Sequence, residues 1–135
     1  MGVRSMIYAR EALEHPELFR IVGVADINPE RVRTARETFG IPLENCFSSV
    51  EELVAVPKFA DGVINGTMDQ QHVPTSLPLL RRGYDILLEK PFAVNMHEAE
   101  RLLTCEHVTD RHIMVCHVLR YAPFYRKIKE ILTAG

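Results

Sequence analysis

The sequence predicts an α/β protein, a parallel sheet covered by helices on both faces. Three observations carry that reading. Short apolar runs alternate strictly with helix-periodic stretches along the whole chain. Several of those runs end in polar or charged residues (Asp26, Asn65, Glu89–Lys90), and in open α/β sheets the carboxyl ends of the strands are where ligands bind. A chain of 135 residues, 47% hydrophobic and 25% charged, suits one soluble globular domain with a real core. No internal linker interrupts it, so residues 1–135 are read as a single domain.

The elements follow in order. Met6, Ala9 and Leu13 have helical spacing, and Pro16 ends that helix. Phe19 to Asp26 reads as a strand through Ile21, Val22 and Val24. Asn28 caps the next helix with Pro29 at its first position, Val32, Ala35 and Phe39 line one face, and Gly40 stops it. Cys46–Phe47 is a very short strand. Ser49 and Glu52 form a capping box for a helix over Val50–Val56. Asp61–Gly66 is a short buried strand. Val73, Leu77 and Leu80 mark a helix ending near Gly83, with Pro78 inside it at the cost of a kink or one backbone bond. Ile86 to Leu88 is the next strand. Asn95 and Glu98 cap a helix whose buried face is Ala99, Leu102 and Leu103. His112–Val118 is the last strand, and Phe124, Ile128 and Ile131 mark a final helix that stops at Gly135.

Several classes are excluded or disfavoured. A formal charge of −2 gives no electrostatic case for nucleic acid or an anionic membrane. No apolar run approaches the roughly 20 residues of a membrane helix, and MGVRSMIYAR lacks a signal-peptide core. Cys46, Cys105 and Cys116 are odd in number, widely spaced and without a CxxC pair. They read as reduced thiols of a cytoplasmic protein, and no metal site is expected.

Five features bear on chemistry. Asp26 ends a strand about twenty residues after a glycine-containing turn, where a dinucleotide fold places the acid that accepts from the adenosine ribose hydroxyls. Its charge favours NAD over NADP, although NADP or dual use stays open, and it reads equally as a loop aspartate. The turn itself, MGVRS, is an incomplete G-x-G-x-x-G/A. Gly2 stands as the second glycine and Ser5 as the third small residue, and the first strand and first glycine are absent. Arg4 can reach a pyrophosphate or simply face solvent. Thr67–His72 lies between a buried strand and a helix start, a place for polar or anionic ligands, where Thr67 and His72 can face a cofactor and His72 can equally be a cap. In LLEKPF, Pro91 ends a strand and leaves Lys90 at its carboxyl end. A lysine there is open to desolvation that suits proton exchange near neutral pH, with Glu89 able to pair with it and oppose that effect. A solvated charge pair is the competing reading. Finally His117, Arg120 and Tyr121 cluster after a strand; Arg120 and Tyr121 suit a polar substrate or the start of the last helix.

Together these stretches resemble the Gfo/Idh/MocA oxidoreductases, the family of glucose-fructose oxidoreductase and inositol dehydrogenase. The matching segments are GVRS, IYA, VADINPERVRTARETFGIP, FSSVEELV, DGVINGTMDQQH, GYDILLEKPFAVNMHEAERLL and VCHVLRYAPFYRKIKEIL, in the family's order and over essentially the whole chain. The resemblance implies a Rossmann-like, doubly wound sheet that here lacks its first strand, and an NAD-dependent dehydrogenase of a sugar or polyol. It implies that Lys90 assists proton transfer while hydride moves to the nicotinamide, and that Pro91 commonly follows a cis bond. It implies a nucleotide site drawn from Gly2, Val3, Arg4, Ser5, Asp26, Thr67, His72, Glu89 and Pro91, and a substrate site including Lys90, Arg120 and Tyr121. A homo-oligomer is also expected.

The chain departs from the family in three ways. Relatives often have Thr-Pro where this chain has Thr67–Met68. The missing first strand would lie between the strands ending at Asp26 and near Asn65. Relatives continue into a second, largely antiparallel domain that would begin near Gly135. The expectation is therefore a reading frame that starts upstream of Met1, which an in-frame stop just before Met1 would contradict. Otherwise the gap calls for strand donation from another copy or rearranged pairing of the flanking strands. The piece alone is expected to have little or no turnover, and a non-catalytic nucleotide-binding or interaction domain is the alternative.

Overall fold

The computed structural model describes residues 2–134. Eleven major elements alternate: α1 (Val3–Glu14), β1 (Val24–Ala25), α2 (Pro29–Phe39), β2 (Cys46–Phe47), α3 (Val50–Ala55), β3 (Gly62–Asn65), α4 (His72–Arg82), β4 (Asp85–Leu88), α5 (Met96–Thr109), β5 (Ile113–Val115) and α6 (Pro123–Thr133). Every strand pair is parallel, as helical crossovers require.

The sheet is in two parts. β1 pairs only with β2, and β3, β4 and β5 form a second sheet in that order. The junction falls where the sequence places the missing strand. The flanking strands β1 and β3 do not pair with each other, so the expected alternative of rearranged pairing is not what the fold adopts. The long strand expected over Phe19–Asp26 shrinks to Val24–Ala25, because its partner β2 offers only Cys46 and Phe47. The strand expected over His112–Val118 likewise pairs only through Ile113–Val115.

The main core lies between α3, α4, α5 and one face of β4. Val73, Leu77, Leu79 and Leu80 from α4 meet Ile86 and Leu88 from β4 and Leu102 from α5, with Tyr84 fully buried at the turn between. Side chains alternate across a strand, so Leu87 faces away from Ile86 and Leu88. On that other face Leu87 and Ile64 line an apolar cleft of about 460 Å³ with Tyr8 of α1 and Leu18 and Phe19. Helices therefore lie on both faces of the β3–β4–β5 sheet. A smaller cluster, Val24, Ala35 and Ile41, seats α2 against β1.

Local chemistry explains the helix ends. The Asn28 side chain accepts from the Glu30 N–H at 2.9 Å, and Gly40 closes α2 in the left-handed region at φ 65°. Both expected capping boxes form, one residue out of register. Ser49 accepts from Glu52 N–H while the Glu52 carboxylate accepts from Ser48 N–H; Asn95 accepts from Glu98 N–H while Glu98 accepts from Val94 N–H. Helix α4 runs on through Pro78.

Three buried faces differ from expectation. Helix α1 buries Ser5, Ala9 and Ala12, and Leu13 is half exposed. Helix α5 buries Cys105 and leaves Leu103 outside, because Cys105 lies three residues beyond Leu102 on the stripe that meets α4. Helix α6 buries none of its residues: Phe124, Ile128 and Ile131 are exposed. Its expected stop at Gly135 lies outside the described residues.

Candidate nucleotide and proton-transfer site

The carboxyl ends of β3, β4 and β5 gather one polar constellation. Asn65 closes β3 and is almost fully buried. Its amide nitrogen lies 2.9 Å from the hydroxyls of both Thr75 and Ser76, and its oxygen accepts from the Thr67 hydroxyl at 2.9 Å. Asn65 thus ties the start of α4 to the loop before it. Sequence reasoning missed this role; an asparagine ending a buried strand was the available signal.

His72 begins α4 with 1% of its surface exposed. Its Nδ1 lies 2.6 Å from the Pro91 carbonyl oxygen and its Nε2 lies 3.0 Å from the Thr67 carbonyl oxygen. Carbonyl oxygens only accept and a neutral imidazole carries one N–H, so the ring donates to one of the two carbonyls, as its tautomer sets, and packs against the other as a strut between two backbone segments. Both nitrogens are turned inward onto main chain, and Gln71 rather than His72 holds the N-cap position of α4. Thr67 is exposed.

At Met68 the backbone has φ −72° and ψ 151°, the conformation a proline imposes. The backbone at Met68 thus already has the shape that a proline there would take. Met68→Pro is expected to raise stability by about 0.4–1 kcal/mol through the unfolded chain. Thermal or urea unfolding checks it; a fall in stability would mean that the Met68 N–H or the Thr67 backbone cannot accept the ring.

The peptide bond between Lys90 and Pro91 is cis, as the family resemblance implies. Glu89, 8% exposed, sits under it. One carboxylate oxygen accepts from the Tyr8 hydroxyl at 2.5 Å and lies 3.6 Å from Arg4 Nε; the other accepts from the Lys90 N–H at 3.0 Å. Burial first, then the Glu89 carboxylate, push the Tyr8 hydroxyl well above the ordinary tyrosine range. The Cys116 thiol is also pushed up by burial. Two expectations are corrected here. Glu89 holds the Lys90 main chain, Tyr8 and Arg4 rather than the Lys90 ammonium. Lys90 itself is exposed rather than desolvated at a buried strand end, because the turn at Pro91 carries it out of the sheet. Tyr8 escaped the sequence reading, although its spacing of four from Arg4 places both on one face of α1.

The other expected residues fall into separate groups. Ser5 is buried, and a Cβ on Gly66 would come within 2.2 Å of its hydroxyl, so α1 packs against the end of β3 at a distance that favours small residues at both positions. The α1 N-terminus has no side-chain cap and no acid in its first turn; Gly2 opens onto space, and Val3 and Arg4 are exposed. Asp26 follows β1. Its carboxylate accepts from the Asn28 N–H at 2.8 Å and lies 3.7 Å from Arg31 Nη1. His117, Arg120 and Tyr121 line one cleft of about 410 Å³ beside β5. Neither Arg120 nor Tyr121 caps α6 by its side chain, since Ala122 occupies that place; both are exposed.

This donor set fits a dinucleotide. Bare backbone N–H groups at the α1 N-terminus suit a pyrophosphate, and a fixed carboxylate after β1 suits ribose hydroxyls. Parallel strands with these groups at their carboxyl ends define a nucleotide-binding domain of the dehydrogenase type. A sequence profile described as "oxidoreductase family, NAD-binding Rossmann fold" matches residues 2–117. The chain belongs to that family, the Gfo/Idh/MocA oxidoreductases, whose cofactor is NAD.

Known proteins agree. The chain is 31% identical over 121 residues to the "Putative oxidoreductase YteT" of Bacillus subtilis, covering 87% of this chain and 28% of that protein. It is 29% identical over 112 residues to an inositol 2-dehydrogenase of Corynebacterium glutamicum, covering 82% of this chain and 33% of that protein. The WlbA dehydrogenase of Bordetella pertussis, solved with NADH and UDP-GlcNAcA, superposes with a TM-score of 0.90 at 21% identity, over 99% of this chain and 40% of that one. That likeness establishes the fold. The chain spans about a third of the length of these curated relatives.

Proposed function

We propose that this chain is the nucleotide domain of an NAD-dependent dehydrogenase acting on a sugar or polyol hydroxyl. The observation that supports it is the end of β4, where an exposed Lys90 leaves a main chain held by Glu89 on one side and, through Pro91, by His72 on the other. Bound nicotinamide supplies the hydride acceptor. Lys90 Nζ exchanges the proton of the substrate hydroxyl, and Arg120 and Tyr121 bind its polar groups. Asp26 accepts from the ribose hydroxyls, and the first turn of α1, with Arg4 beside it, receives the pyrophosphate. Inositol in the name of one relative and a nucleotide sugar in the solved neighbour support the substrate class. The exposed apolar face of α6 supports a homo-oligomer. Three free cysteines support a reducing, cytoplasmic setting. No helix among the described residues is long and apolar enough to cross a membrane.

A structural or interaction domain is the second reading, favoured by the divided sheet. It expects a dimer in solution that is indifferent to cofactor. Calorimetric titration of the 135-residue chain with NADH and NADPH separates the two. Micromolar NADH binding with weaker NADPH binding is expected. Asp26→Ala is expected to weaken NADH about ten-fold or more, the scale of one charge-assisted hydrogen bond. It should narrow the preference over NADPH, because Arg31 then faces the 2′-phosphate without an adjacent carboxylate. A folded chain that binds neither nucleotide sinks the first reading for this piece.

A further inference from the structure

We infer that Tyr8 is a positioning residue for proton transfer, acting through Glu89 on the main chain of Lys90. The inference rests on the dehydrogenase reading of Lys90 given above. Glu89 is a buried carboxylate, and a buried charge is retained only where donors satisfy it. Its two oxygens divide the work. Oε2 accepts from the Lys90 N–H at 3.0 Å, and Oε1 accepts from the Tyr8 hydroxyl at 2.5 Å. Arg4 Nε stands farther away, at 3.6 Å, on a half-exposed side chain that solvent screens. The hydroxyl is therefore the contact that fixes the carboxylate in rotation, and the carboxylate in turn fixes the amide of Lys90.

Geometry gives Tyr8 this task for two reasons. It sits one helical turn beyond Arg4, so both reach the same strand end. Its ring lines the apolar cleft with Ile64 and Leu87, which anchors the hydroxyl from behind. Without it, Oε1 keeps only the distant Arg4, the carboxylate turns toward solvent, and the Lys90 N–H loses its acceptor. The lysine then samples positions away from the reacting hydroxyl, and losses of this kind fall on kcat rather than on cofactor binding.

Tyr8→Phe tests this, because phenylalanine keeps the ring in its cleft. In the 135-residue chain, NMR hydrogen exchange at the Lys90 amide is expected to accelerate at least ten-fold, while amides within His72–Arg82 keep their rates and so report an intact fold. Unchanged exchange at Lys90 overturns the inference, whatever the activity. In the full-length gene product, kcat is expected to fall about ten-fold with NADH affinity held within two-fold. A normal kcat in Tyr8→Phe beside a depressed kcat in Lys90→Ala also overturns it. Should Lys90→Ala leave kcat unchanged, it is the dehydrogenase role of Lys90 that has failed, and the exchange rate alone still decides whether Tyr8 holds that main chain.

Discussion

Lys90→Ala in the full-length gene product is expected to lower kcat by about 10²–10⁴-fold, the usual contribution of a positioned general acid or base. NADH affinity should stay within about two- to three-fold. Lys90 is exposed at the turn after β4, and its removal leaves the Asp26 carboxylate and the uncapped α1 N-terminus untouched. Stability should also be nearly unchanged. The contacts that hold this turn are made by the Lys90 N–H and the Pro91 carbonyl, which alanine retains. Steady-state kinetics beside calorimetric NADH binding checks the split. A variant with normal kcat removes Lys90 from the chemistry; a variant that loses NADH binding in proportion makes Lys90 a cofactor contact instead.

Much of this arrangement was legible in the residues. Asn28–Pro29 and Gly40 bound α2 because capping is a matter of a few neighbouring backbone groups. The strand running into Glu-Lys-Pro placed a lysine at the end of β4 because proline cannot continue a ladder. Long-range pairing was not legible. The Phe19–Asp26 segment is apolar enough for a full strand, yet strand length depends on the partner, and β2 offers two residues. The buried face of α1 was misassigned by one position at Met6 and Leu13, and that of α5 at Leu103 alone, for the same reason: which stripe is inward depends on where α1 meets β3 and α5 meets α4. The clamp on Lys90 was invisible because Tyr8 and Glu89 are 81 residues apart. Composition marks neither as unusual. The role of His72 was hidden similarly, since its partner Pro91 belongs to the next strand end, and a histidine before a helix reads locally as a cap.

That strut leads to the second large effect. His72→Ala is expected to destabilise the chain by about 2–4 kcal/mol, from the cavity left by a fully buried ring and from the lost ring N–H between the Thr67 and Pro91 carbonyls. The damage should not stop at stability. The ring lies between the loop after β3 and the turn after β4, with a nitrogen against a carbonyl of each, so its loss uncouples Thr67 from Lys90–Pro91. Two variants separate the causes. His72→Gln keeps an N–H donor at the site but not the planar ring, and is expected to recover part of the stability. His72→Phe keeps the volume and strips the ring N–H, leaving both carbonyls against an apolar ring. If Phe restores stability fully, packing alone accounts for His72 and the strut carries no weight. If Gln outperforms Phe, the hydrogen bonds carry it, and Lys90 amide exchange should rise in Phe more than in Gln. Urea unfolding read together with exchange at Lys90 decides between them, because only the strut predicts that a substitution in α4 is felt at the end of β4.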